Sequence, residues 1–160
     1  MYNAGMREIP ERVYVDSSVV SGVFDNNDHP ERVKPLWDAV NRGEVRIVAS
    51  DVLDREVDDA PPHVRDFYRS LPESQIERIA STDESNRLAA RYRAEGIVSE
   101  NSLNDSLHVA LASVAGVDVL VSFNCTHIVK LNQIRRYNAI NVLSGYTQIE
   151  IRTPDEVIYG

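Results

Sequence analysis

Short apolar segments that alternate with helix-forming segments are the feature that most constrains the fold of this chain. The apolar segments are rich in Val and Ile, and several end abruptly in Asp or Ser, residues that cap helices. A buried strand followed directly by a helix is typical of sheets with parallel strands. The sequence therefore predicts an α/β fold with helices on both faces of a parallel sheet. The predicted strands are 13–15, 45–49, 76–80, 117–121 and 149–152.

Polar caps and glycines mark where the predicted helices begin and end. Ser50 can cap a helix that stops before Pro61 and Pro62. Ser81, with Glu84 three positions later, has the spacing of a capping box. Apolar residues recur at steps of three and four in the helix that begins at Ser102. Two helices are predicted to begin at 16–18 and at 50. Three more are predicted over 81–96, 102–116 and 134–143.

Length and charge limit the classes of function. A chain of 160 residues can bury the core of one ordinary domain, so we expect 1–160 to form a single domain. The chain has 17 basic and 25 acidic residues, a net charge of −8, which argues against binding nucleic acid through a broad basic surface. A polyanionic substrate would then need a bound metal ion or a local basic patch.

Cysteine usage and the lack of long apolar segments favour a cytoplasmic protein. Cys125 is the single cysteine, which excludes an internal disulfide and a cysteine-only zinc site. The polar segment 1–12 has no signal-peptide pattern, and no segment approaches the ~18 apolar residues of a membrane span. The histidines lack the paired spacing of a zinc site. They are His29, His63, His108 and His127.

Four polar residues follow the predicted strands or lie in the helices after them. Asp16 directly follows the first strand, and Asn124 follows the fourth. Glu56 lies in the helix after the second strand, and Asp105 lies in the first turn of the helix that begins at Ser102. Singly, each is explained as a helix cap, a turn residue or a solvated helix residue. Open sheets bind ligands beyond the carboxyl ends of their strands, and all four side chains can also reach that edge. Carboxylates clustered there favour Mg²⁺ or Mn²⁺.

Four segments of the chain match a known family in their order and spacing. They are 13–18 (VYVDSS), 54–57 (DREV), 104–112 (NDSLHVALA) and 119–124 (VLVSFN), and the tail 149–156 (IEIRTPDE) is similar to a subgroup. On these segments, which cover most of the chain, the sequence resembles the PIN domain, the fold of VapC-type toxin ribonucleases. The resemblance implies a three-layer sandwich with a five-stranded parallel sheet in the order 3-2-1-4-5, and metal-dependent cleavage of RNA at one end of that sheet.

The resemblance also implies the residues of the site. Asp16, Glu56 and Asp105 match the three acids that would hold Mg²⁺ or Mn²⁺ and carry catalysis. The fourth acid of the family is replaced by Asn124, whose amide oxygen can ligate a cation or orient water but carries no charge. Two supporting hydroxyls are implied as well. Ser18 matches the one that helps to hold the first acid, and Ser122 the one that opens the fourth motif.

The sequence thus predicts a metal-dependent endoribonuclease of PIN type, the toxin of a toxin–antitoxin pair. Its implied partners are an RNA substrate, a protein antitoxin and a second copy of the chain, with no membrane association. Asn124 leaves open an alternative, a PIN-like domain with weak or no turnover that binds RNA or protein. A receiver or phosphatase-like domain built on Asp16 ranks last, because its companion acids and lysine are missing.

The basic stretch of Lys130, Arg135 and Arg136, beside Tyr137, is either a solvated helix face or a path for RNA.

Overall fold

A five-stranded parallel sheet forms the centre of the structure, a computed structural model that describes residues 10–98 and 102–158. Every pair of neighbouring strands is parallel, and the strand order is β3-β2-β1-β4-β5. The predicted α/β fold and the order 3-2-1-4-5 are therefore confirmed. The strands are β1 (Arg12–Val15), β2 (Arg46–Ser50), β3 (Ile76–Ile79), β4 (Val119–Val121) and β5 (Glu150–Arg152).

Helices cover both faces of the sheet. One hydrophobic core lies between the sheet and helices α1, α2, α3 and α4, and a second lies between the sheet and α5, α6 and α7. Within the described residues, no helix is both long and apolar enough to cross a membrane. The helices are α1 (Ser17–Ser21), α2 (His29–Asn41), α3 (Asp51–Asp58), α4 (Pro62–Arg69), α5 (Asp83–Ala94), α6 (Leu103–Ala115), α7 (Leu131–Leu143) and α8 (Pro154–Ile158).

The register of the sheet aligns the carboxyl ends of the central strands. Val15 of β1 pairs with Val121 of β4, so the residues that follow them, Asp16 and Ser122, come out at the same level. On the other side of β1, Tyr14 pairs with Val48 of β2. The side chains that follow the central strands therefore meet at one edge of the sheet.

The predicted capping box of the fifth helix is wrong by one residue. Thr82 and Ser85 form it instead: the Ser85 N–H donates to Thr82 Oγ1 (3.1 Å), and the Thr82 N–H donates to Ser85 Oγ (2.9 Å). Ser81 is held elsewhere, because its N–H and Oγ–H both donate to Asp51 Oδ1, at 3.0 and 2.8 Å. Glu84 therefore lies in the first turn of α5 without a capping role.

Candidate active site at the carboxyl edge of the sheet

Asp16 is a buried carboxylate held by three donors. It caps α1, and its Oδ1 accepts from the Val19 N–H at 3.4 Å and from Ser18 Oγ at 2.5 Å. Its Oδ2 accepts from Ser122 Oγ, also at 2.5 Å. Burial raises the pKa of Asp16 above its usual value, although the charge of His108 and the two serine hydrogen bonds favour the ionised form. The fold thus places one carboxylate, in a fixed orientation, at the end of the central strand.

The two serines also fix the chain segment that follows β4. Ser18 Oγ accepts from the Phe123 N–H, and Ser122 Oγ accepts from the Asn124 N–H, both at 2.9 Å. Each hydroxyl therefore donates to Asp16 and accepts from the backbone, which satisfies it in both directions. The structure brings both predicted supporting residues to the first acid.

Asp105 lies in the first turn of α6, next to Asn124. Burial raises the pKa of Asp105, as does the charge of Asp16, whereas the nearby His127 and a hydrogen bond from the Asn124 side chain favour the ionised carboxylate. The Oδ1 atom of Asn124 accepts from the His127 N–H at 3.0 Å. Asn124 therefore presents its amide group to Asp105 as a donor, while its oxygen is used within the turn.

Glu56 faces α6 and is bonded there to His108. The Nε2 atom of His108 lies 2.5 Å from Glu56 Oε1, and Asn104 Nδ2 lies 3.4 Å from Glu56 Oε2. His108 is buried, and its Nδ1 lies 2.6 Å from the hydroxyl of Tyr14. Burial by itself lowers the pKa of His108, but the hydrogen bond and the negative charge of Glu56 outweigh it, so the pKa is raised.

The carboxylate oxygens at this edge are ligands of the kind that a hard divalent cation takes. Among residues 10–98 and 102–158, no three His, Cys, Asp or Glu side chains are grouped so as to hold a metal ion. Mg²⁺ needs only one or two carboxylates, since it keeps several waters and binds substrate phosphates. The carboxylates of Asp16 and of Asp105, whose pKa the charge of Asp16 raises, fit this requirement. The third predicted acid, Glu56, is directed to His108 instead.

The predicted basic stretch is divided between surface and core. Lys130, Arg135 and Arg136 are exposed, at the beginning of α7. Tyr137 is fully buried, and its hydroxyl donates to the His127 carbonyl oxygen at 3.1 Å. The stretch therefore offers three cations to solvent and one side chain that holds the turn beside Asp105.

Sequence reasoning missed two residues of this site. Tyr14 was assigned only to a buried strand, but its hydroxyl contacts His108 and also Ser50 Oγ, at 2.7 Å. The signal was available, because a tyrosine in a buried strand needs a partner for its hydroxyl. His127 lies in an irregular turn, and nothing in the local sequence indicates that it approaches Asp105.

Comparison with known proteins identifies the family. The family model of the PIN domain matches residues 13–125. Similar solved structures include VapBC2 from Rickettsia felis bound to a DNA fragment from its promoter (TM-score 0.58, 15% identity, 89% of this chain and 98% of that chain). A second is Mycobacterium tuberculosis VapC20, a toxin that cleaves the sarcin–ricin loop (TM-score 0.56, 12% identity, 86% of this chain and 98% of that chain). A third is FitAcB from Neisseria gonorrhoeae (TM-score 0.53, 14% identity, 89% of this chain and 97% of that chain).

The comparison with curated proteins gave no match. At 12–15% identity, the solved structures establish a shared fold. The family model spans well over half of the chain, and it includes β1, β4, Asp16, Glu56, Asp105 and Asn124. The chain belongs to the PIN domain family.

Proposed function

We propose that this protein is a metal-dependent endoribonuclease that hydrolyses RNA phosphodiester bonds as the toxin of a toxin–antitoxin pair. The observation that carries the proposal is the buried Asp16, whose two oxygens are fixed by Ser18 and Ser122 and whose charge raises the pKa of the nearby Asp105. One of the similar structures is described as a toxin that cleaves the sarcin–ricin loop. Two others are complexes named VapBC2 and FitAB, each bound to DNA.

In this proposal Asp16 and Asp105 would hold Mg²⁺ or Mn²⁺, which supplies charge stabilisation at the phosphoryl group and makes a bound water more acidic. The serines keep the Asp16 oxygens in one orientation, so the site needs no rearrangement when substrate arrives. Asn124 stabilises the ionised form of Asp105 by its hydrogen bond. Since the chain has a net charge of −8, cation binding also offsets the repulsion of an RNA backbone.

A binding module without turnover is the second candidate, and Asn124 is the observation that favours it. The family's fourth acid is absent there, and the described residues do not group three acids. Such a protein would bind RNA, or another protein, at the same edge without cleaving it. RNA that is retained but stays intact at millimolar Mn²⁺ would support this candidate.

Cleavage of structured and unstructured RNA by the purified protein tests the proposal. We expect cleavage with Mg²⁺ or Mn²⁺ and none with a chelator. Asp16→Asn should abolish cleavage while the protein stays folded, because the change keeps the size of the side chain. Asp66→Asn, the same change at an exposed position on α4, serves as the matched control and should cleave like the parent. Cleavage retained by Asp16→Asn would contradict the proposal.

The proposed partners follow from the same family. We propose a protein antitoxin, whose binding should stop RNA cleavage, and a homodimer of the chain, with residues 1–160 acting as one domain. A small protein encoded beside this chain is the first candidate antitoxin, and co-purification with loss of cleavage tests it. A reducing cytoplasm suits a chain whose single cysteine, Cys125, is exposed and unpaired.

A further inference from the structure

We infer that Tyr14 and His108 are positioning residues that fix the Glu56 carboxylate beside the cation, and that Glu56 is not itself a ligand of that cation. In the proposed function, on which this rests, Asp16 and Asp105 hold the divalent ion. Glu56 then acts on water or substrate from a place set by protein hydrogen bonds. Sequence reasoning had given all three acids the same role.

The first observation is the contact between Glu56 and His108. Glu56 Oε1 and His108 Nε2 are 2.5 Å apart, although Glu56 is on α3 and His108 is on α6. The His108 side chain is 2% exposed, so water cannot replace the carboxylate as its partner. A cation that drew Oε1 away from this contact would leave the buried Nε2–H without an acceptor, which is costly in an apolar environment.

The second observation is that the ring of His108 is held from both sides. Its Nδ1 is 2.6 Å from the Tyr14 hydroxyl, and the two rings meet edge to face, with centroids 5.6 Å apart. The Tyr14 hydroxyl is also 2.7 Å from Ser50 Oγ, which in turn accepts from the Leu53 N–H and so caps α3. Both ring nitrogens are engaged, and the ring has one orientation that satisfies them.

These hydrogen bonds connect the three elements that carry the acids. Tyr14 lies on β1, two residues before Asp16, and Ser50 caps the helix that carries Glu56. His108 lies one turn after Asp105 on α6. A chain of side chains from Ser50 through Tyr14 and His108 to Glu56 therefore sets the position of α3 relative to β1 and α6. The carboxylate of Glu56 is located by this chain and not by a shared cation, consistent with the lack of a three-acid group among the described residues.

Binding of Mn²⁺ to the intact chain separates ligands from positioned groups. Because Glu56 acts on the cation through its charge alone, we expect Glu56→Gln to weaken Mn²⁺ binding by about tenfold, whereas Asp105→Asn, which also removes a ligand, should weaken it by about a hundredfold or more. Titration calorimetry of the two variants and the parent measures this. Equal weakening by Glu56→Gln and Asp105→Asn would overturn the assignment. A parent that binds no Mn²⁺ would overturn both the proposed function and the statement about ligands.

A metal-free measurement decides the positioning role separately. In chelator, Glu56→Leu and His108→Leu should each lower the Tm, and the double variant should lower it by less than the sum of the two, because both changes remove the same hydrogen bond. Additive shifts would overturn the pairing. If His108→Leu does not fold, the ¹⁵N signals of the His108 ring decide instead. They should move in Glu56→Gln and in Tyr14→Phe, and unchanged signals would refute the contact.

Kinetics give the third readout, with a matched control. Tyr14→Phe and His108→Gln should lower kcat on RNA by about tenfold to a hundredfold with little change in KM or in the Kd for Mn²⁺. His108→Gln should keep more activity than His108→Leu, since the amide can still donate to Glu56. His63→Gln, the same change at an exposed histidine of α4, should behave like the parent. A loss of Mn²⁺ affinity in Tyr14→Phe that accounts for the whole loss of rate would contradict a positioning role.

Discussion

Asp16 combines burial with a complete set of hydrogen-bond donors, so we expect substitution of the residues that donate to it to lower stability. Its side chain is almost fully enclosed, yet Ser18, Ser122 and the Val19 N–H all donate to it. A buried carboxylate that loses a donor keeps its desolvation cost without compensation. The serines therefore contribute to stability as well as to the geometry of the site.

Substitution of Ser122 tests this coupling. Ser122→Ala removes a donor to Asp16 Oδ2 and an acceptor of the Asn124 N–H, so we expect the free energy of unfolding to fall by about 1–3 kcal/mol. Urea denaturation in chelator measures the change. Ser74→Ala, at an exposed serine, is the matched control and should change stability little. Equal stability of Ser122→Ala and the parent would show that Asp16 does not depend on this hydroxyl.

Asn124 is the residue at which this chain departs from its family, and restoring the acid has opposite effects with and without cation. Asn124→Asp replaces a donor to Asp105 by a second negative charge, so in chelator we expect a lower Tm than that of the parent. With millimolar Mn²⁺ the difference should shrink or reverse, because the extra carboxylate strengthens cation binding to the folded state. Thermal unfolding in both conditions checks this. A shift that is the same with and without Mn²⁺ would place Asn124 outside the cation site.

At the scale of the elements, α1 and the segment after β4 meet at a glycine. Gly22 follows α1 with ordinary helical φ, so its backbone accepts any residue, but a Cβ there would lie 2.9 Å from Phe123 Cε2. Phe123 donates its N–H to Ser18 Oγ. The close packing of Gly22 on Phe123 therefore helps to keep the β4 segment against Asp16.

Two alanine substitutions separate crowding from backbone strain. Gly22→Ala should displace Phe123 and lower both RNA cleavage and stability, the latter by about 1–3 kcal/mol. Gly116→Ala, at the left-handed C-cap of α6 (φ 64°) with open space around it, should cost about 1–2 kcal/mol of unfolding free energy and leave cleavage unchanged in the folded fraction. Urea denaturation and cleavage rates distinguish the two. Loss of cleavage in the Gly116 variant alone would contradict this assignment.

Local sequence signals located the strands and the helices that begin directly after them. Patterns that act over a few residues, such as the Ser50 cap and the left-handed Gly116, are visible in the sequence because their partners are close along the chain. Helices α2 and α4 were not predicted, since Pro35 lies inside α2 and Pro62 begins α4, and prolines signal breaks. In α2, buried Val33, Leu36 and Val40 carry the helical spacing despite that proline.

The site could be predicted only in part, because some of its contacts join residues that are far apart in the sequence. Asp16, Asp105 and Asn124 come together because they follow central strands or begin a helix at the same edge, which the order of elements already indicates. The direction of the Glu56 side chain depends on His108, 52 residues away, and no local pattern encodes that contact. Propensity and spacing give the positions of residues on elements, but hydrogen-bond partners across elements come from packing.

At the scale of the whole molecule, helix α7 exposes an apolar face. Five large hydrophobic side chains are exposed among the described residues, and three of them, Leu131, Val142 and Leu143, are on α7. They border a groove of about 720 Å³ between α7 and β5. Exposed apolar surface of this kind is suited to a contact with another molecule.

We propose that the second copy of the chain in the homodimer occupies this groove. The Arg135 side chain lines the groove without a hydrogen bond or ion pair to any described residue, whereas Glu150, in the same groove, pairs with Arg152 of its own chain at 2.8 Å. In that proposed two-fold contact, Glu150 of each copy would lie opposite Arg135 of the other. Extension of the sheet is disfavoured, because Asn138 bonds both the N–H and the carbonyl of Ile149 beside the β5 edge.

Disruption of this face should therefore change the size of the protein in solution. Leu143→Glu should weaken self-association by about a hundredfold, since two buried leucine side chains of at least about 1.5 kcal/mol each are lost per dimer. Arg135→Glu and Glu150→Arg should each weaken association alone, because like charges then face each other, and an equimolar mixture should restore it, because both contacts become complementary. Light scattering coupled to size exclusion measures the mass, with Leu103→Glu on α6 as the control for an exposed leucine elsewhere. A parent that is monomeric at high concentration, or a mixture that stays monomeric, would exclude a second copy from the α7 groove.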